Sequence, residues 1–112
     1  MLASKNRLKI TGDIKHVLRN GRSVHGNFLK VRLRANNHSE TRFAFIVGAR
    51  TAKKATERNK IKRHLRAVIA QQMNNLQRGF DCVVLTGPEI KGKSFQEVEV
   101  ELVALLKKSG FL

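Results

Sequence analysis

The sequence predicts an α+β fold, a two-layer α/β sandwich with the element order α-β-β-α-β-α. Three observations predict it: apolar residues recur with the helical period in three segments, alternate with polar ones in residues 29–34, and run almost uninterrupted in two further segments. The chain has 112 residues and neither an internal repeat nor a proline-rich linker. That length is typical of one domain, so we expect residues 1–112 to form a single domain.

The first half of the chain predicts one helix followed by two strands. Ile14, Val17 and Leu18 lie at helical spacing, in a helix that Thr11 can cap and Gly21 can end. Residues 29–34 then alternate between apolar and basic side chains, which indicates a strand with one buried face. Residues 42–49 are nearly all apolar and predict a buried strand, and a further short strand is expected near residues 23–25.

The second half predicts helix, strand and helix. A helix over residues 55–74 places Ile61, Leu65 and Val68 on one apolar stripe. Residues 80–85 follow a glycine and are typical of a buried strand. Ser94 and Glu97 have the spacing of a capping box at the start of the last helix.

The charge of the chain predicts a polyanionic partner. It carries 23 Lys and Arg against 8 Asp and Glu, hence +15, and the whole excess lies in residues 1–66. Nucleic acid is the commonest partner of such a surface, because neutralising phosphates releases condensed counterions. The longest uninterrupted apolar stretch spans only residues 43–47 and the N-terminus lacks an apolar signal core, so we expect a cytoplasmic protein without a membrane partner.

The predicted helix over residues 55–74 concentrates this charge. Four residues, Asn59, Lys62, Arg63 and Arg66, occupy one arc beside the apolar stripe, and we call them the basic strip. Arginine side chains offer planar donor forks that suit phosphate oxygens, and a helix N-terminus attracts anions. The alternative is a solvated helix face, which the density of charge disfavours. Arg58 is predicted near the apolar stripe in the first turn.

Little in the sequence points to catalysis by the chain itself. Cys82 lies within an apolar strand and is predicted to be a core residue, and Asp81 a capping or turn residue. Asp13 and Glu57 are too few to build a two-metal nuclease site. The histidines lie in four separate segments without metal-ligand spacing, so no metal site is expected. They are His16, His25, His38 and His64. A small-molecule substrate is not expected either.

Residues 58–66 read Arg-Asn-Lys-Ile-Lys-Arg-His-Leu-Arg and resemble a known motif. The protein subunit of bacterial ribonuclease P carries Arg-Asn-x-x-Lys-Arg-x-x-Arg there. The similarity extends in order over nearly the whole chain: residues 13–22 look like the family's entry helix, Phe28 stands where an aromatic residue usually begins the long strand, and residues 81–85 match the strand after the basic helix. The family usually has Phe at the positions of Ile14 and Leu18.

The resemblance implies a function. The family assists a catalytic RNA subunit in the endonucleolytic, hydrolytic removal of the 5′ leader from precursor tRNA, with the catalytic groups and magnesium on the RNA and no cofactor on the protein. It also implies a left-handed β-α-β crossover through the basic helix, the hand that physical reasoning alone would not predict. The residues expected to contact the RNA subunit are Arg50, Lys54, Arg58, Asn59, Lys62, Arg63 and Arg66. Those expected to contact the leader are Ile14, Leu18, Phe28, Lys30 and Arg32, with Phe28 predicted on the same face as the two basic strand residues.

Two other functions remain open. A small ribosomal or RNA-chaperone protein would explain the charge and the sandwich, but it makes no demand for the spacing of residues 58–66. A self-sufficient nuclease is disfavoured because no carboxylate cluster is evident.

Overall fold

A computed structural model of the chain describes residues 2–110 and 112. The helices are α1 (Thr11–Asn20), α2 (Ala55–Gln72) and α3 (Phe95–Lys108). The strands are β1 (Arg22–His25), β2 (Leu29–Ala35), β3 (Arg42–Ile46) and β4 (Phe80–Thr86). Short 3₁₀ turns cover Ser4–Asn6, Met73–Asn75 and Pro88–Ile90. The predicted order is confirmed, and the expected short strand is β1.

The four strands form one sheet in the order β1-β2-β4-β3. β1 and β4 each pair antiparallel with β2, whereas β3 pairs parallel with β4. A parallel pair needs a crossover connection, and α2 supplies it. Alternate residues of the central strands face opposite sides of the sheet, which therefore carries two cores.

The larger core lies between the sheet and the helices α2 and α3. Phe43, Leu65, Ile69 and Leu102 are each at most 1% exposed there. A smaller core on the opposite face packs Val17 of α1 against the sheet. The α+β sandwich is confirmed, and α1 adds a partial layer on its second face. This division leaves one sheet face only partly covered, because a helix of ten residues cannot shield four strands.

The connection from β3 to β4 through α2 is left-handed. The Leu8 N–H donates to the Phe43 carbonyl at the outer edge of β3, so the peptide groups of Phe43 point away from β4 and those of Ala44 point toward it. The Ala44 side chain faces α1, and α2 lies on the other side of the sheet. For L-residues these two directions fix the hand of the crossover. About 98% of such crossovers have the opposite hand, so the resemblance predicted correctly what general rules do not.

Three helix ends were predicted with different success. Ser94 Oγ accepts from the Glu97 N–H, and Glu97 Oε1 accepts from the Ser94 N–H, both at 3.2 Å, which confirms the capping box. Thr11 was expected to cap α1, but it is the first helical residue, and no side chain caps this helix. Gly21 does end α1 as predicted, and the position suits glycine because a Cβ there would lie 2.6 Å from the Val17 carbonyl oxygen.

Glu101 on α3 fastens the turn between β1 and β2. Its carboxylate accepts from three consecutive backbone N–H groups, those of Asn27, Phe28 and Leu29, at 2.7–3.0 Å. Gly26 lies so close that a Cβ there would meet the carboxylate at 2.8 Å. The turn is therefore held against α3, on the side of the larger core.

Among the helices of the described residues, none has the length and apolar character needed to cross a membrane.

Candidate nucleic-acid interface

The basic strip lies on the outer side of α2. Leu65, Val68 and Ile69 form the buried apolar stripe beside it, as predicted. Asn59 and Arg63 are exposed, and Lys62 and Arg66 are partly exposed. Within residues 2–110 and 112, no acidic side chain forms an ion pair with any basic residue of α2. The strip is thus an uncompensated row of positive charge, the surface that a polyanion neutralises.

Arg58 orders the loop that leads into α2. Its Nη1 donates to the carbonyls of Ala52 (3.0 Å) and Lys53 (2.8 Å), which satisfies backbone acceptors just before the helix. Arg50 and Lys54 are exposed in this loop, next to the helix N-terminus. Arg58 is therefore part of the structure of the loop, and two other cations extend the positive surface beyond the strip.

Arg66, at the far end of the strip, lies over an aromatic ring. Its guanidinium carbon is 5.9 Å from the centre of the Phe45 ring on β3. A guanidinium placed this way is attracted by the face of the ring and is less free to move. The strip consequently continues from α2 to the edge of the sheet.

The sheet face next to α1 carries a second candidate surface. Ile14 and Leu18 of α1 are partly exposed there, beside Ile46 and Leu85 of the sheet. Lys30 is in register with Leu85, which in turn is in register with Ile46. We call these five residues the α1-side surface. Ile46 and Leu85 were not among the predicted site residues, although their even spacing from Arg42 and Asp81 on the same strands could have placed them on this face.

Two residues predicted for the leader surface are engaged elsewhere. Phe28 was expected on the face of Lys30 and Arg32, and that placement is wrong: the ring packs into the larger core and is only 8% exposed. Phe28 precedes β2, and the Glu101 contacts turn this segment toward α3. Arg32 does face α1, but its guanidinium donates to Ser23 Oγ (2.8 Å) and the Gly21 carbonyl (2.6 Å), which ties the end of α1 to the sheet.

Asp81 and Cys82, the two residues considered for catalysis in β4, both have structural roles. Asp81 accepts hydrogen bonds from Arg42 and Asn36. The hydrogen bond between Arg42 and the Asp81 carboxylate raises the pKa of Arg42. Cys82 is fully buried, and burial raises the pKa of its thiol, so it is a core residue as predicted. In the described part of the chain, no three His, Cys, Asp or Glu side chains come close enough to hold a metal ion.

Comparisons with known proteins identify the family to which the chain belongs. The family model described as Ribonuclease P matches residues 2–110.

The chain belongs to the ribonuclease P protein family.

Relatives and solved structures support the assignment. The chain is 30% identical to the ribonuclease P protein component of Syntrophomonas wolfei over 98% of this chain and 92% of that protein. It is 34% identical to that of Synechocystis over 95% and 86%, respectively. The ribonuclease P protein structure from Thermotoga maritima is 28% identical, with a TM-score of 0.83 over 91% of this chain and 96% of that one. The Staphylococcus aureus structure, 23% identical with a TM-score of 0.86 over 95% and 96%, shows the shared fold.

Membership of this family makes the protein an RNA-binding subunit of ribonuclease P, an endoribonuclease that processes tRNA, with an RNA subunit as its partner. The predicted motif is Arg58–Arg66, and the structure places the basic strip of this motif on the outer side of α2, whereas Leu65 is buried. The motif that carries the family resemblance therefore lies on α2, the most strongly charged of the three helices.

Proposed function

We propose that this chain assists a catalytic RNA subunit in removing the 5′ leader of precursor tRNA. The observation that carries the proposal is the basic strip, whose cations have no acidic partner in the described residues. Folding such a surface concentrates like charges, and RNA phosphates relieve the resulting repulsion. The strip and the loop before α2 would bind the RNA subunit through Arg50, Lys54, Arg58, Asn59, Lys62, Arg63 and Arg66.

Arg58 acts in this proposal mainly through the loop that it orders. Its Nη1 already serves two carbonyls, while Arg63 has no intramolecular partner in the described residues. Arg63 and Asn59 can therefore meet phosphates without giving up an internal contact. Lys54 and Arg50 add charge at the helix N-terminus, where free N–H groups favour an anion.

The leader would lie along the α1-side surface. Ile14 and Leu18 supply apolar contact and Lys30 a charge for a phosphate, with Ile46 and Leu85 between them. Arg32 contributes by fixing the end of α1. A base gains less binding free energy from aliphatic side chains than from an aromatic ring, because stacking on a ring contributes about 1–3 kcal/mol per base. Phe28 could add to leader binding only through the small exposed part of its ring.

The catalytic groups and magnesium would belong to the RNA subunit. Metal-assisted phosphodiester hydrolysis needs several carboxylates converging on the metal ions. In the described residues Asp81 is bound to Arg42 and Asn36, and Glu101 is bound to a backbone turn. The protein's contribution would then be electrostatic: to neutralise phosphates where RNA strands crowd together, and so to lower the magnesium that the reaction requires.

The test is cleavage of precursor tRNA by the cognate RNA subunit at low magnesium, with and without this chain. We expect the chain to stimulate site-specific removal of the leader, and the purified chain alone to leave precursor tRNA intact. If the chain binds RNA without stimulating cleavage, it is an RNA chaperone or ribosomal protein. If the chain alone cleaves at the leader junction, the active site lies on the protein and the proposal is wrong.

A further inference from the structure

A pocket of about 280 Å³ lies at the open edge of β3, where the two surfaces described above meet. Three cations line it: Arg7 and Lys9 from the N-terminal segment, and Arg66 from α2. Ile14 and Phe45 form part of its apolar floor. Arg7 and Lys9 are distant from Arg66 in sequence, and the pairing of the segment around Arg7 with Phe43 brings them together.

The cations of this edge pocket are held in place and keep donors free. Arg7 Nε donates to the Leu2 carbonyl at 3.1 Å, which leaves its two terminal nitrogens for a ligand. Lys9 Nζ contacts Ser4 Oγ at 2.6 Å and has further N–H donors. Arg66 rests over Phe45. None of the three pairs with an acid in the described residues.

Its lining distinguishes the edge pocket from four others on the molecule. Each of those includes at least one glutamate: Glu40, Glu101, Glu89 or Glu99. The edge pocket is lined by cations and apolar groups alone. A ligand suited to it combines a negative charge with a flat apolar part. A nucleotide has both, because its phosphate can meet the cations while its base contacts the apolar side chains of the lining, such as Ile14.

We propose that the edge pocket binds one nucleotide of single-stranded RNA. The proposal rests on the proposed function and extends it. Arg66 belongs to the basic strip and Ile14 to the α1-side surface, so the pocket joins the two surfaces around the edge of β3. The single-stranded RNA bound there is either the leader or a segment of the RNA subunit, and both present a phosphate and a base to the pocket.

The experiment uses holoenzyme reconstituted with the cognate RNA subunit. The variant is Arg7→Gln/Lys9→Gln, and the matched control is Lys107→Gln/Lys108→Gln, which removes the same charge from exposed positions at the end of α3. Two affinities are measured: that of the protein for the RNA subunit, and that of the holoenzyme for precursor tRNA relative to mature tRNA. We expect the variant to weaken one of these two affinities about tenfold more than the control does. For that affinity, the slope of log K against log salt should be lower by about 0.7, the value for one lost phosphate contact with a single strand.

The outcomes are distinct. A loss confined to precursor tRNA identifies the leader as the ligand, and a loss confined to the RNA subunit identifies that RNA; both support the pocket. If variant and control behave alike in both measurements, the proposal is overturned. Lys9→Gln alone keeps the Arg7–Leu2 hydrogen bond and repeats the test, with an expected loss of about threefold, if the double variant melts early. Failure of the proposed function would look different, since the unmodified chain itself would then not stimulate cleavage.

Discussion

The guanidinium of Arg42 binds both carboxylate oxygens of Asp81 on the adjacent strand, at 2.8 Å from Nε and 2.7 Å from Nη2. Asn36 donates to the same carboxylate at 2.7 Å, and Asp13 of α1 lies 3.8 Å from the Arg42 Nη1. The pair is mostly buried, with side-chain exposures of 18% and 9%. It therefore connects β3, β4, the loop after β2 and the start of α1, and it accounts for Asp81 without a catalytic role.

Asp81→Ala is expected to destabilise the fold by about 3 kcal/mol, because it leaves the mostly buried Arg42 without its bidentate partner. Chemical denaturation measures the change. A double-mutant cycle with Arg42→Ala separates the pair from the single losses, and we expect the second substitution to cost less once the first is present. Loss of cleavage at a temperature at which Asp81→Ala is fully folded would contradict a purely structural role.

Arg63→Ala should leave the thermal midpoint nearly unchanged, because Arg63 is exposed and has no internal partner in the described residues. Binding to the RNA subunit should weaken, and the slope of log K against log salt should fall by about 0.9 for one lost duplex phosphate contact. Lys108→Ala, also exposed but on α3, is the control and should leave the slope as it is. An unchanged slope for Arg63→Ala would remove the basic strip from the interface.

Phe28→Ala should lower the free energy of unfolding by about 3–5 kcal/mol, since the ring is buried in the larger core and its removal leaves a cavity. Phe28→Leu keeps most of the apolar volume and should cost less than about 1.5 kcal/mol. Urea denaturation of both variants measures these losses. If Phe28→Ala melts like the unmodified chain and only precursor tRNA binding suffers, the ring serves the leader and not the core.

Glu97→Gln should reduce the dependence of stability on acid pH. The backbone N–H of Ser94 binds the carboxylate and lowers the pKa of Glu97 below its ordinary value of 4.5. The charged form therefore stabilises the fold above that value, and the contribution is lost as the pH falls through the folded-state pKa. Denaturation at about pH 5 and pH 3 should show a smaller difference for Glu97→Gln than for Glu99→Gln, which removes the same charge outside the capping box. Equal differences would mean that the box does not respond to pH.

Much of the molecule could be predicted from local pattern. Helical spacing identified Leu65 and Val68 as core and Arg63 as exposed, because one helix has one buried face whatever it packs against. The capping box at Ser94 is equally local, since its two partners are three residues apart. The segregation of charge into residues 1–66 already required a polyanionic partner.

Other features depended on which distant segments meet. Strand alternation predicts Phe28 on the same face as Lys30, yet Phe28 precedes β2. The carboxylate of Glu101, more than seventy residues away, turns this segment toward α3. Arg32 was expected to face ligand, but the end of α1 offers it a carbonyl. Arg7 and Arg66 share a pocket only because the N-terminal segment pairs with β3. Periodicity predicts which residues share a face of one helix or strand. It does not predict what that face packs against, because the partner comes from a segment distant in the sequence. Such long-range contacts stabilise the fold only once the chain has brought the two segments together.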